Sequence, residues 1–450
     1  MDHPVSTAPV VVEHPRVSVI GTGYLGATHA VAMAELGFDV VGIDSDERKI
    51  ERLRRGEIPF HEPGLPELLA KVQATGRLRW STDVADAADA DVHYVCVGTP
   101  QKAGELAADL RDVDAAFTEL AKHLHRRCLV VGKSTVPVGT AARLQQLRVD
   151  TAPAGGEVEL AWNPEFLREG FAVEDTLRPD RLVFGVRSAW AEAQLRAAYA
   201  PVLAHETPVV VCDFPTAEMV KVAANSFLAT KISFINAMAE VCEVTGADVS
   251  QLADAIGYDA RIGRKFLNAG LGFGGGCLPK DIRAFMARMG ELGVDQAVSF
   301  LREIDAINQR RRVRTVELGL ELLHGTFRWS SVAVLGAAFK PDSDDVRDSP
   351  ALDVASLVKR LGGAVTVYDP VAVENARARF PELDYASSLD DALRGADLVM
   401  LLTEWSQFRE MDPTAVGELV GHRNIVDGRN VLDPATWRAA DWSYRALGRP

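Results

Sequence analysis

Short apolar runs recur between helical stretches from residue 16 to residue 212: RVSVI, DVVGID, DVHYVCVG, RCLVVGKS, EVELAWNPE, RLVFGV and TPVVVC. Strands that alternate with amphipathic helices specify a mainly parallel sheet covered on both faces. Residues 1–212 are therefore expected to form a doubly wound α/β domain. From Pro215 to about Phe327 the strand pattern stops, and AEMVKVAANSFLATKISFINAMAEVCEVTG carries apolar residues at helical spacing over many turns. A second helical run covers about Asp295 to His324, so residues 213–327 are expected to be a helical middle domain. Such helices between two sheets often bury a face against a second subunit; an intrachain spine is the alternative. At Ser331 the strands return in VAVLGAAF, AVTVYDP, ADLVMLL and NIVDGR, giving a smaller α/β domain over 328–450.

Composition narrows what such a chain binds. A net charge of −14 argues against DNA or RNA, which need clustered Lys and Arg, but not against a small anion in a local basic pocket. No apolar run approaches the roughly 20 residues of a spanning helix, and MDHPVSTAPVVVEHPR lacks the charged-then-apolar order of a signal peptide. A cytoplasmic protein with no membrane partner is expected. The five cysteines are odd in number and without CxxC spacing, so neither a disulfide framework nor a metal site is implied. Cys96, Cys128, Cys212 and Cys242 sit in apolar strand or helix patterns and read as small core residues. Cys277 differs, because GFGGGCLPKD sets it between a glycine run and a helix start.

The string VSVIGTGYLG places Gly21, Gly23 and Gly26 after a strand and at the start of a helix. Three glycines so spaced allow a tight turn, close approach to a pyrophosphate and close helix-to-strand packing, while the helix N-terminus favours the phosphate charge. Asp44 ends the next strand about 20 residues on, where a carboxylate hydrogen-bonds the adenosine ribose and repels a 2′-phosphate. NAD is thereby favoured over NADP. Lys49 on the following helix is a further candidate for that ribose.

Three segments hold polar residues at i, i+4, which on a helix puts both side chains on one face. They are Glu165 and Glu169 in NPEFLREG, Lys221 and Asn225 in EMVKVAANSF, and Cys277 and Asp281 in GGGCLPKD. A Lys and an Asn on the apolar face of a buried helix are costly without partners. Pro279 suits the first turn of a helix, which sets Cys277 just before a helix N-terminus. That position, with Lys280 beside it, is expected to favour the nucleophilic thiolate.

These residues carry a resemblance. The chain resembles the UDP-glucose and GDP-mannose dehydrogenases over nearly its whole length, with GTGYLG, VGTP, KSTVP, NPEFLREG, KVAANSFLATKISFIN, RIGRKFLNAGLGFGGGCLPKD, FKPDSDDVRDSP and VDGR in the family's order. The resemblance implies two successive oxidations with NAD, alcohol to aldehyde and Cys-bound thiohemiacetal to thioester, followed by hydrolysis. Cys277 is then the nucleophile, Lys221 and Asn225 stabilise the developing oxyanion, and Asp281 holds or activates the water that acts as base. Glu165 assists acid–base chemistry during hydrolysis, and Thr135 anchors water near the nicotinamide.

For the cofactor the resemblance points to Gly21, Gly23, Tyr24, Leu25, Gly26, Asp44, Lys49, Thr99, Thr135, Glu169, Cys277, Lys280 and Arg347. For the nucleotide sugar it points to Glu165, Phe166, Leu167, Glu169, Lys221, Asn225, Arg261, Phe266, Leu267, Asn268, Gly270, Phe273, Gly274, Phe339, Lys340 and Arg429, with Arg261 reaching across a dimer interface. The implied architecture is α/β, with two Rossmann-like doubly wound domains joined by a long-helix central dimerisation domain in a homodimer or higher homo-oligomer. One departure is visible: many relatives carry Ser immediately before the Cys, and here it is Gly276.

The motif RIGRKFLNAGLGFGG is most similar to the UDP-glucose branch. The same chemistry on dTDP-glucose, GDP-mannose or a UDP-N-acetylhexosamine is the nearest rival, because a single methyl group is worth only roughly 1–3 kcal/mol in a pocket. A nucleotide-sugar sensor without turnover and a two-electron hydroxyacid dehydrogenase are the rivals from other classes. Cys277, Lys221, Asn225 and Asp281 together count against the sensor, and the hydroxyacid class has no need for a Cys nucleophile.

Overall fold

The computed structural model describes residues 10–450, and the first nine residues, on which part of the leader-peptide expectation rests, lie outside it. The chain divides into two compact units, with the boundary between Ala223 and Ala224. That boundary falls inside one long helix, Phe214–Thr245.

The first unit is built on eight strands: β1 (Val17–Ile20), β2 (Val40–Ile43), β3 (Leu78–Ser81), β4 (Val92–Val95), β5 (Cys128–Gly132), β6 (Val158–Trp162), β7 (Leu182–Gly185) and β8 (Val209–Cys212). Their order in the sheet is β3-β2-β1-β4-β5-β6-β7-β8. Every neighbouring pair is parallel except β6 and β7, which meet antiparallel at Trp162 and Gly185. β1, β2, β4 and β5 are buried at every residue, which is why they read as largely apolar runs; the polar exceptions, Ser18 of β1 and His93 of β4, hydrogen-bond each other at 2.8 Å. Successive residues point to opposite faces, and Val19 and Ile20 accordingly pack into two different apolar clusters. Helices therefore cover both sides. The strand order reverses between β1 and β4, so the chain leaves the carboxyl ends of these two strands in opposite directions and opens a crevice there.

In the second unit the strands β9 (Ser331–Leu335), β10 (Ala364–Tyr368), β11 (Asp384–Tyr385), β12 (Leu398–Leu401), β13 (Asn424–Asp427) and β14 (Ser443–Ala446) make a sheet of order β11-β10-β9-β12-β13-β14, parallel throughout. It has the same winding order as the first six strands of the larger sheet. β3, β11 and β14 are absent from the sequence reading. β11 has two residues and β14 alternates exposed and buried, so neither presents an apolar run; β3 is interrupted by an exposed Arg79.

The same unit contains the remainder of the long helix, with Val249–Gly257, Leu278–Glu291 and Phe300–Leu322. Ile235, Ala239 and Cys242 pack on Val249, Ala253 and Leu267. Ala229 packs in a cluster with Phe273, Ile282 and Leu301. Glu243 receives Arg311 at 2.9 Å and Arg314 at 2.7 Å. Phe227, Phe234 and Val241 recur at seven-residue spacing on the long helix and are 67%, 47% and 49% exposed.

Candidate active site

The dinucleotide turn follows β1. Gly21 has φ +88°, a conformation that L side chains avoid, and a Cβ on Gly26 would fall 1.7 Å from the Gly21 carbonyl oxygen. A Cβ on Gly23 would meet nothing within 4 Å. Gly23 caps the Tyr24–Glu35 helix without any side-chain hydrogen bond, and no acidic residue occupies the first turn. The helix end thus keeps open space and a positive dipole for an anion, which fits a cofactor pyrophosphate. Leu25 packs at the edge of the sheet's apolar cluster.

Asp44 follows β2 and accepts the Thr22 N–H at 2.8 Å and the Lys49 ammonium at 2.8 Å. Burial raises the carboxyl's pKa, but the Lys49 hydrogen bond and the Asp46 and Thr22 N–H groups outweigh it and hold Asp44 below its ordinary value. Asp44 is therefore an ionised acceptor at neutral pH.

The loops after β4, β5 and β6 converge. Thr99 donates to the Thr135 carbonyl at 2.8 Å, and Ser134 to the Val97 carbonyl at 2.5 Å. Glu165 and Glu169 do not share a helix face, because residues 163–169 form no helix. The Glu165 carboxylate instead folds back onto the Leu167 N–H at 2.9 Å. Its other oxygen lies 3.0 Å from the Lys221 ammonium, both side chains being largely buried. Phe166 lies beneath two cations, Lys221 at 5.6 Å and Arg181 at 3.8 Å from the ring centre. Glu169 is half-buried and close enough to Tyr24 to add to the rise in that phenol's pKa, which is caused first by burial and then by Glu62.

Glu62 was not legible as a site residue. It is 2% exposed, accepts the N–H groups of Gly170 and Ala172 at 2.7 Å each, and receives the Tyr24 hydroxyl. One carboxylate thus links the dinucleotide turn to the segment carrying Glu165 and Glu169. The only local hint is a Glu before the Pro-Gly turn of HEPGLPELL, which a solvated surface acid would share.

The second unit holds another group of polar side chains. Asn225, one turn beyond Lys221 on the long helix, donates its amide to Asp281 at 2.7 Å. The other Asp281 oxygen receives Lys280 at 2.5 Å, and Asp281 itself is 2% exposed. Cys277 is exposed at the N-cap of Leu278–Glu291, and its carbonyl accepts the Asp281 N–H at 2.9 Å. Of the other cysteines, Cys96, Cys128 and Cys242 are buried and Cys212 is half-buried.

The glycine loop before Cys277 is tightly enclosed. A Cβ on Gly274 would come 2.3 Å from the Asp348 carbonyl oxygen, on Gly275 2.8 Å from the Phe339 ring, and on Gly276 2.2 Å from the Arg347 guanidinium. A serine at 276 therefore requires Arg347 to move. Arg347 itself chelates Asp345, and the Lys340 ammonium lies 5.6 Å from the Phe339 ring centre. Asn308 holds the Phe273 N–H and carbonyl at 2.7 and 2.9 Å, and Asn236 holds the Gly270 N–H at 2.9 Å. Leu267 and Phe273 are buried in apolar clusters, so what their segment offers a ligand is backbone.

Arg429 donates to the carbonyls of Leu402, Gly272 and Phe339 at 2.8, 3.1 and 3.0 Å, tying three loops together. Phe266 has φ +66° and is 39% exposed. Asn268 accepts Arg264, and Arg261 stands exposed with its guanidinium on Asp259. Among the described residues no cluster of metal-ligating side chains occurs and no helix is long and apolar enough to cross a membrane.

Three domain models of one family match the chain: the NAD binding domain of the UDP-glucose/GDP-mannose dehydrogenase family over residues 15–203, its central domain over 215–310 and its UDP binding domain over 333–434. The UDP-glucose 6-dehydrogenase TuaD of Bacillus subtilis is 41% identical over 438 residues, 97% of this chain and 93% of that protein. A UDP-glucose 6-dehydrogenase of Rhizobium meliloti is also 41% identical, over 97% of this chain and all of its own length. Among solved structures, a UDP-glucose dehydrogenase from Pyrobaculum islandicum superposes with a TM-score of 0.89 at 37% identity, covering 99% of this chain and 100% of its own. A UDP-D-ManNAc dehydrogenase from Pyrococcus horikoshii follows with a TM-score of 0.85 at 26% identity, covering 96% of this chain and 99% of its own. The winding of both sheets, the glycine turn with its Asp44 and the matched length lead to one assignment: the chain belongs to the UDP-glucose/GDP-mannose dehydrogenase family.

Proposed function

We propose that this enzyme oxidises the C6 alcohol of UDP-glucose to the carboxylate, through a covalent intermediate on Cys277. The observation that carries the reading is an exposed Cys277 at a helix N-terminus, one turn before a buried Asp281 that is paired with Asn225. The family's UDP binding domain and relatives named UDP-glucose 6-dehydrogenase support the substrate. The three family matches also support the division into 1–212, 213–327 and 328–450.

The glycine turn and Asp44 would hold NAD, which when bound would accept a hydride from C6 in each oxidation. In the first, the C6 hydroxyl gives up its proton to a water held by Asp281, and the aldehyde forms. The Cys277 thiolate then adds to C6, making a C–S bond. Lys221 and Asn225 donate to the oxygen that becomes negative. Loss of the second C6 hydride leaves a thioester. Water, with Glu165 taking its proton, adds to the thioester carbon; the C–S bond breaks, the thiolate leaves and the carboxylate is released. Thr135 holds water beside the reacting face. Arg261, Lys340 and Arg429 and the loop from Phe266 to Gly274 would hold the nucleotide sugar, and Lys280 and Arg347 would serve the cofactor.

The exposed row of Phe227, Phe234 and Val241 supports a second copy of the chain as its cover, in a dimer where Arg261 completes the partner's substrate pocket. A reaction that consumes NAD and a UDP-sugar is assigned to the cytoplasm.

The test is an NADH assay over UDP-, dTDP-, GDP- and ADP-hexoses, followed by intact mass of Cys277→Ser. UDP-glucose should be preferred and yield two NADH per acid formed. The serine variant should keep a covalent adduct, because its ester hydrolyses slowly, and lose acid formation by at least ~10³, about 4 kcal/mol. Near-normal turnover of that variant removes Cys277 as nucleophile, and absence of NADH with every hexose removes the function.

A further inference from the structure

Lys133 belongs to the KSTVP motif but has no part in the chemistry above. It follows β5 directly and is 6% exposed. Among the described residues no carboxylate forms an ion pair with it. Its ammonium donates instead to the Asn163 side-chain oxygen at 2.9 Å and to the Tyr199 hydroxyl at 3.1 Å, and Tyr199 donates to the same Asn163 oxygen at 2.6 Å. The Asn163 amide donates to the Val183 carbonyl of β7 at 2.9 Å. A closed triangle of side chains therefore joins β5, β6, β7 and the end of the Ala189–Ala198 helix. Asn163 is 1% and Tyr199 3% exposed.

The triangle is placed at the roots of two loops. Lys133 and Asn163 are the first residues beyond the paired strand ends Gly132 and Trp162. Thr135 lies two residues after Lys133, and Glu165 two residues after Asn163. A charged donor in a low-dielectric interior makes stronger hydrogen bonds than a neutral one, so an ammonium holds the two roots more firmly than an amine or a thioether can.

We propose that Lys133 is a positioning residue, whose buried ammonium clasps the ends of β5 and β6 and so fixes the loops that carry Thr135 and Glu165. The proposal rests on the functional reading of those two residues. Keeping a cation here is costly. Burial pulls the Lys133 pKa down to about 8, against the opposing effects of Cys96 and Glu165 and with a further lowering by Lys221. The remaining groups around it do not replace the charge: His29 is held neutral by burial and by Lys133, and burial raises the pKa values of Tyr94, Tyr199 and Cys96. At neutral pH the ammonium is mostly protonated, and it loses its proton as pH rises through about 8. The clasp therefore weakens, and turnover falls, on the alkaline side.

The experiment compares wild type, Lys133→Met and Tyr199→Phe in two ways. Hydrogen exchange at one pH should be at least ~10-fold faster in Lys133→Met for the amides of residues 134–136, Val138 and 165–169, with the central strands unchanged. In steady state with UDP-glucose, Lys133→Met should lower kcat by about 10-fold or more with KM for NAD nearly unchanged, and the alkaline inflection near pH 8 should vanish. Tyr199→Phe, which keeps the lysine but removes one acceptor, should move that inflection to lower pH. Unchanged exchange in both loops overturns the proposal, whether or not the enzyme turns over UDP-glucose. So does an active Lys133→Met enzyme with the wild-type inflection. Should Lys133→Met not fold, an unmoved inflection in Tyr199→Phe overturns it. A wild type without NADH formation and with faster loop exchange in the variant overturns only the functional reading.

Discussion

Asp281→Asn tests the buried pair at the start of the Leu278–Glu291 helix, because it changes the charge and hardly changes the volume. In the native protein both carboxylate oxygens are engaged, one by Asn225 at 2.7 Å and the other by Lys280 at 2.5 Å, and Asp281 is 2% exposed. Asparagine has one acceptor oxygen. Turned toward Asn225, it keeps that bond as a neutral one, a loss of about 1 kcal/mol. Its NH2 then faces the Lys280 ammonium, leaving a buried donor unpaired at a cost of about 1 kcal/mol. Lys280, with 24% of its side chain exposed, turns to water instead of remaining a stranded charge. Loss of a negative charge in the first helical turn adds about 0.5 kcal/mol.

The sum is about 2–3 kcal/mol, read as a lower urea midpoint at constant slope. Asn225→Asp combined with Asp281→Asn reverses donor and acceptor, and should recover at least about 1 kcal/mol through coupling of the two sites. Activity separates the roles. If Asp281 holds the base water as proposed, the single variant should lose about 10²–10³ in kcat/KM, and the double variant should stay as low with its charge one helix away. A single variant within about 0.5 kcal/mol of wild type refutes the pairing argument. Restored turnover in the double variant refutes the assigned role of Asp281.

Two further outcomes concern the first unit. Asp44→Ala leaves the buried Thr22 N–H without its acceptor and should weaken NAD binding about 10-fold while narrowing its advantage over NADP; calorimetric titration with both dinucleotides decides it, and an unchanged preference rejects the assignment. Glu62→Gln cannot accept from both Gly170 and Ala172, so it should cost about 2–3 kcal/mol in urea unfolding and lower kcat more than it raises KM for NAD. A loss below about 1 kcal/mol would show that Glu62 is replaceable there.

What the residues specified alone are the features set by short-range physics. Fully buried parallel strands must be mostly apolar, so β1, β2, β4 and β5 were visible as such, even with Ser18 and His93 among them, which satisfy each other across β1 and β4. A glycine turn before a helix and a proline in the first turn after Cys277 are local steric requirements, and both helices begin where those residues put them. Half-exposed β14 and the two-residue β11 lack that signal and became strands only through their neighbours. Spacing also misled at Glu165 and Glu169, where a helical interval occurs in a segment that tertiary contacts to Tyr24, Glu62 and Lys221 shape instead. The partners of buried polar groups lie far apart in the chain: Asn225 and Asp281 are separated by 56 residues, Glu62 and Gly170 by 108, and Lys133 and Tyr199 by 66. No local pattern encodes such pairs, because each polar group needs only some acceptor or donor and the fold decides which one arrives. For that reason the glycine turn and the helix start at Cys277 were legible in the sequence, whereas the hydrogen bonds of Glu62 and Lys133 emerged only once the strands had been brought side by side.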